Sequence, residues 1–151
     1  MNKGIIIAIV ILVLAGGEIL IVNTRSKVPE EVNVTQENED AAMSSSRYAE
    51  YSKTVLDQSA DNRRVLFFYA SWCPTCRPTD ENLKQNINKI PEDVTIIRVN
   101  YNDPETDQEE KELAKKYEIT YQHTFVQIDA QGNEITKWNG GQISELLKNL
   151  K

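Results

Sequence analysis

Cys73 and Cys76 are the only cysteines in a chain of 151 residues, and they stand three positions apart in Trp72-Cys73-Pro74-Thr75-Cys76. Two cysteines cannot make a disulfide framework or a four-ligand zinc site, because each of those needs further Cys or His. The pair can serve in redox chemistry or as part of a metal site. Residues 65–70 (VLFFYA) directly before it form a short continuous apolar run, as expected of a buried central strand. The motif itself reads as the start of a helix, whose free N–H groups and partial positive charge stabilise a thiolate on Cys73. Arg77 adds to that field. The spacing holds Cys76 one turn along, near enough to close a disulfide and more deeply buried than an exposed Cys73. Thiol–disulfide exchange requires such an arrangement: Cys73 attacks a substrate disulfide, a mixed disulfide forms, and Cys76 resolves it. A fixed structural disulfide accounts less well for the pair, since so small a loop adds little stability.

The surrounding elements alternate. Tyr48, Tyr51 and Val55 mark one face of a first helix, and residues 65–70 are the first strand. Leu83, Ile87 and Ile90 recur at helical spacing up to Pro91, and residues 94–100 (VTIIRVN) read as a second strand. Asp103-Pro104 opens a helix with Leu113, Ala114 and Tyr117 as its apolar stripe. Its charges, Glu105, Asp107, Glu109, Glu110 and Glu112 with Lys111, Lys115 and Lys116, read as a solvated face. Residues 124–128 are a third strand, Gln131-Gly132-Asn133 turns the chain, and residues 134–138 pair back as a hairpin. After Gly140-Gly141, a helix carrying Ile143, Leu146, Leu147 and Leu150 closes the domain. The order after the first helix, βαβαββα, predicts an α/β domain with a central mixed β-sheet flanked by helices on both faces.

Residues 5–15 (IIIAIVILVLA) are unbroken apolar sequence, and residues 4–22 approach the roughly twenty needed to cross a hydrocarbon core. Residues 1–22 are therefore expected to be an N-terminal transmembrane signal-anchor, with Glu18 near one end, where its side chain reaches the interface. A signal peptide cleaved after Val13-Leu14-Ala15 is the competing reading, and it would leave residues 19–22 as an exposed apolar stub. Both readings export the rest of the chain. Lys3 on one side balances Arg25 and Lys27 on the other and leaves orientation open. Residues 23–46 are too acidic and too poor in large apolar side chains to fold alone, and read as a flexible linker to a domain over residues 47–151. Asn33-Val34-Thr35 is a glycosylation sequon by pattern only. The net charge of -6 and pI near 4.9 argue against nucleic acid as a partner.

Residues 70–76 (ASWCPTC), the βαβαββα order and Gly140-Gly141 before the last helix resemble the thioredoxin superfamily over residues 48–151. Within it the chain looks most like the membrane-anchored, exported thiol–disulfide proteins. The resemblance implies a thioredoxin-like fold, a redox-active disulfide between Cys73 and Cys76, and thiol–disulfide oxidoreductase activity on the extracytoplasmic side of the cell membrane. It implies no cofactor. Its partners would be exported proteins with thiols or disulfides, and a membrane electron donor if the protein works as a reductant. Trp72, Pro74, Thr75, Arg77 and His123 would support the pair. Trp72 would be a substrate platform and Trp138 a core residue, and Tyr121 and Gln122 would offer backbone groups to a bound peptide.

Two positions depart from the family pattern. Phe67 stands where thioredoxins carry a buried Asp that relays protons to the second cysteine. His123, the only histidine, occupies the place of a cis-proline, and a trans bond is expected there because a cis bond at a non-proline residue costs about 3 kcal/mol. His123 either replaces the proline as a loop side chain or, lying within a few ångströms of Cys73, lowers its pKa as a general base or joins both cysteines as a third metal ligand. The last possibility resembles the Sco-type copper chaperones, whose loop is similar to Gln122-His123-Thr124 leading to Asp129 and Gly132. Those proteins place three residues between their cysteines where this chain has two, so copper binding through Cys73, Cys76 and His123 ranks second.

Overall fold

The computed structural model describes residues 47–151; the expected anchor and linker, residues 1–46, lie outside the described residues. Five strands form one sheet: β1 (Tyr48–Glu50), β2 (Arg63–Tyr69), β3 (Val94–Asn100), β4 (Thr124–Ile128) and β5 (Glu134–Asn139). Four helices accompany them: α1 (Lys53–Gln58), α2 (Cys76–Gln85), α3 (Gln108–Lys116) and α4 (Ile143–Asn149), with a short 3-10 turn at Ile87–Lys89. The strand order is β1-β3-β2-β4-β5, parallel from β1 to β2 and antiparallel from β2 to β5. This is the expected mixed sheet and the expected βαβαββα order.

Alternation along β2 divides the core in two. Val65, Phe67 and Tyr69 pack with Ile96, Phe125, Leu83, Ile143 and Leu146 on one face, beneath α2 and α4. Leu66 and Phe68 pack with Ile97, Val99, Ala114 and Tyr117 on the other, against α3. On the first face Phe67 stacks on Phe125 with ring centres 4.4 Å apart, and Phe125 stacks on Trp138 at 5.3 Å. Trp138 is thus the core residue expected of it.

Tyr48 and Tyr51 do not begin a helix. Residues 48–50 form an edge strand in register with Ile96–Arg98 of β3, and α1 starts only after Ser52, whose hydroxyl accepts the Val55 N–H. Besides its ladder with β3 and the packing of the Tyr48 ring, the strand is fastened by a buried polar contact. Tyr48 donates its hydroxyl to Asp80 of α2, which also pairs with Lys84 at 2.8 Å and with Arg98 at 3.5 Å. Burial foremost, and then the Asp80 carboxylate, hold the Tyr48 hydroxyl far above its ordinary pKa.

The third helix begins at Gln108, not at Asp103-Pro104. Asp107 and Glu110 form a reciprocal capping box, whereas Asp103 turns its carboxylate onto the Ser71 and Glu105 N–H groups. Glu110 is 3% exposed and not part of a solvated face. One of its oxygens accepts the Asn100 N–H at 2.7 Å, fastening α3 to the end of β3. Desolvation raises its pKa despite those N–H partners. In α4 the buried side is Ile143 and Leu146, with Leu150 packed against it and Leu147 exposed. Among the described residues no helix is long and apolar enough to cross a membrane.

Phe125 is 1% exposed at the centre of the aromatic stack. Phe125→Ala should destabilise the domain by about 3–5 kcal/mol, read from the shift in a urea unfolding midpoint.

Candidate functional site

β2 ends at Tyr69, and Ala70 O accepts the Cys73 N–H at 3.1 Å, turning the chain into α2. Thr75 takes the N-cap position of that helix, yet its hydroxyl makes no capping hydrogen bond. The Cys73 sulfur accepts instead from the first helical N–H, that of Cys76, at 3.2 Å. The Thr75 hydroxyl lies 3.3 Å from the same sulfur. The helix start thus surrounds Cys73 with donors, as the sequence predicted.

The two thiols are free, and both are buried: Cys73 is 2% exposed and Cys76 is fully covered. Cys73 is therefore not the exposed thiol expected of it, because its side chain packs into the core face beneath α2. The asymmetry between the pair is electrostatic. Burial pushes the Cys73 thiol up, but hydrogen bonds from the Cys76 thiol, the Thr75 hydroxyl and the N–H groups of both residues outweigh it, so its pKa lies below the ordinary value. Burial, and then its hydrogen bond to Cys73, push Cys76 up to about 12, although backbone groups of Ala70 and His123 pull the other way. Of the two thiols, Cys73 therefore gives up its proton the more readily.

His123 follows a trans peptide bond, since no cis bond occurs among the described residues, and it adopts φ +62. Proline could not take this place, because its ring fixes φ near −65° and removes the N–H. The His123 N–H donates to Phe68 O at 2.7 Å, and His123 O accepts from the Gly140 N–H at 2.9 Å. Pinned between β2 and the end of β5, the residue holds its ring over the start of α2. No hydrogen bond joins that ring to the Cys73 sulfur. Nδ1 meets Thr75 Oγ1 at 2.9 Å, and Nε2 meets Thr79 Oγ1 at 3.1 Å. Desolvation lowers the imidazole pKa, while the Gly141 carbonyl raises it.

Trp72 is 52% exposed beside the cysteines, and its indole N–H donates to Asn102 O at 2.9 Å. Pro74 and Arg77 are exposed, and Arg77 brings only its backbone N–H to Cys73 O, at 3.4 Å. Tyr121 is also exposed, and its carbonyl accepts the Thr124 hydroxyl. Phe67 lies fully buried in its stack and offers no carboxylate to Cys76. Thr79, which the sequence did not single out, completes the contacts of the ring. The one available signal was its spacing, four residues after Thr75 on the same helix face. A shallow groove of about 300 Å³ runs beside the pair between Pro74, Thr75, Pro78, Thr79, His123 and Gly141.

The copper arrangement does not fit this geometry. Among the described residues no group of three or more His, Cys, Asp or Glu is placed to hold a metal ion, and both imidazole nitrogens are engaged by threonines. Asp129, part of the Sco-like pattern, closes the β4–β5 turn by accepting from the Asn133 N–H and side-chain amide.

The fold and the paired thiols define a class of thiol redox domain, and the comparisons with known proteins agree. Residues 52–150 match the thioredoxin-like domain family, and the chain belongs to it. No curated protein matches this sequence. Solved structures share the fold at low identity. Trxlp from Edwardsiella tarda is 20% identical with TM-score 0.54, over 69% of this chain and 98% of that one. The long form of thioredoxin f from spinach chloroplast is also 20% identical, with TM-score 0.56, over 73% and 90%. Reduced Schistosoma mansoni thioredoxin pre-protein is 21% identical with TM-score 0.53, over 69% and 95%. Thiol–disulfide redox activity is the general function to which the family points.

Alkylation by iodoacetamide follows the thiolate, so its rate should rise with pH. Cys73 should reach its plateau below the pH at which a free thiol does, and Cys76 should label only as the pH approaches about 12. Mass mapping of the labelled peptides at each pH checks both.

Proposed function

We propose that the protein is a thiol–disulfide oxidoreductase with Cys73 as nucleophile and Cys76 as resolving thiol. The observation that carries this reading is the split between two adjacent sulfurs, one supplied with donors at a helix start and the other desolvated beneath it. In the exchange, the Cys73 thiolate attacks one sulfur of a substrate disulfide. A new S–S bond forms, the substrate bond breaks, and the departing thiolate carries off the electron pair. Cys76 then attacks the Cys73 sulfur of the mixed disulfide. With Phe67 beneath the pair supplying neither acid nor base, the Cys76 proton passes to the second departing substrate thiolate. Dithiol and disulfide have exchanged, and electrons and protons balance. The same steps in reverse oxidise a substrate dithiol. Trp72 supports the site as an exposed aromatic platform at its rim.

The apolar run over residues 4–22 supports a membrane-anchored protein whose redox domain works outside the cytoplasm on exported proteins. Cys76→Ser leaves the mixed disulfide without its resolving thiol, so exported proteins should accumulate on Cys73 as adducts that a reductant releases. An absence of Cys73-dependent adducts would sink the exchange reading. For the location, a membrane-impermeant maleimide added to intact cells should label Cys73. Labelling only after lysis would place the domain on the other side.

A further inference from the structure

Thr75 and Thr79 are one helical turn apart on α2, and the His123 imidazole is held between their hydroxyls, 2.9 Å from the first and 3.1 Å from the second. Hydrogen-bond capacity sets the direction of each contact. Thr79 Oγ1 also lies 3.1 Å from Gly141 O, which can only accept, so the single Thr79 hydroxyl proton goes there. Thr79 Oγ1 must then accept from His123, which puts the ring proton of the neutral imidazole on Nε2. Nδ1 is left bare and accepts the Thr75 hydroxyl proton. Thr75 Oγ1 in turn has a lone pair for the Cys73 S–H, 3.3 Å away. Every donor from the thiol to the Gly141 carbonyl points the same way.

Thr75 holds the position at which a threonine ordinarily caps its own helix, and here it does not do so. Thr79 is 2% exposed and fixed by the Gly141 carbonyl. Gly141 sits at φ +97, where an added Cβ would fall 2.3 Å from Glu145 Cβ, so the backbone presenting that carbonyl requires glycine.

We propose that Thr75 is a catalytic proton carrier between Cys73 and His123, and that Thr79 is the positioning residue that keeps His123 Nδ1 free to receive the proton. The Cys73 S–H bond breaks as its proton moves to Thr75 Oγ1, and the Thr75 proton moves to Nδ1. The products are a thiolate that accepts from the Thr75 hydroxyl and an imidazolium that donates from both nitrogens. No charge is created or lost in the pair as a whole. The proton on Nδ1 returns by the same route to the first sulfur that leaves as a thiolate. The inference rests on the exchange reading for its purpose and supplies a base for Cys73, not for Cys76 above Phe67.

Other titratable groups near the pair are otherwise engaged. Cys76 shares its hydrogen bond with Cys73, and Tyr69 of β2 lies under the Arg98 guanidinium at 4.8 Å. Asp80 of α2 is tied to Tyr48, Lys84 and Arg98, and Asp103 after β3 is turned onto the Ser71 N–H. α4 contributes Glu145, which pairs with Lys148 at 3.2 Å.

Ultraviolet titration of the thiolate in the reduced full-length protein tests the relay without any substrate. Thr75→Val should lower the Cys73 thiolate fraction at neutral pH by roughly tenfold, and Thr75→Ser should restore it. Thr79→Val should shift the titration in the same direction and change the ring-nitrogen NMR signals of the single histidine from the Nε2–H pattern, with Thr79→Ser again restoring both. Matching urea midpoints confirm that each variant is folded. An unchanged thiolate titration in folded Thr75→Val, or an unchanged tautomer in folded Thr79→Val, overturns the relay and leaves the exchange reading in place. A wild-type titration that behaves as expected in a protein whose Cys76→Ser form traps no partner overturns exchange and leaves the relay.

Discussion

Residues 64–69 of β2 are each no more than 9% exposed, and a strand with no wet face cannot lie at the surface of a sheet. It needs a neighbour on each edge and a layer on each face. β3 and β4 supply the edges, one parallel and one antiparallel, and α2 with α4 and α3 supply the layers. The same burial sets where the chain may change direction. The first positions that can meet solvent, Ser71 and Trp72, come immediately after Ala70. The turn into α2 falls there, with Cys73 on the turn and Cys76 at the first position of the helix. The redox pair is placed by the end of an apolar run.

The second constraint is the backbone of His123. Its left-handed φ is uncommon for a residue with a side chain, and histidine is among the residue types enriched there. Hydrogen bonds to Phe68 O and from Gly140 N–H hold it in that conformation, and the ring is carried over the N-terminus of α2. In a region where the family pattern has a residue without an N–H, this chain uses both the N–H and the side chain. Strained positions of this kind are usual near sites that need a group held in one orientation.

Legibility followed the physics of each element. β2, β3 and β4 were readable because continuous apolar sequence of that length has few other fates, and the hairpin followed from its turn residues. β1 was not, since three residues at a sheet edge leave no periodicity and Tyr48, Tyr51 and Val55 happen to be spaced as on a helix. The start of α3 was misplaced because Asp103 and Asp107 are both credible caps, and only the partner at Glu110 separates them. Glu110 itself read as surface because burial of a carboxylate depends on a backbone N–H from another strand. The trans bond at His123 was legible from the absence of a proline there, whereas the burial of Cys73 was not, because it depends on the packing of α2 on the sheet. Thr79 was not, because what gives it meaning is a ring 44 positions further on.

The chain has two tryptophans, and the structure puts them in different optical surroundings. Trp72 is half exposed on the turn that carries Cys73, with its indole N–H on Asn102 O. Trp138 is partly buried, stacked 5.3 Å from Phe125 against the edge of the core. Emission from the first is therefore sensitive to the surroundings of the pair, and emission from the second to the packing of the aromatic stack. The molecule carries one indole at the rim of its thiol site and another in its aromatic stack.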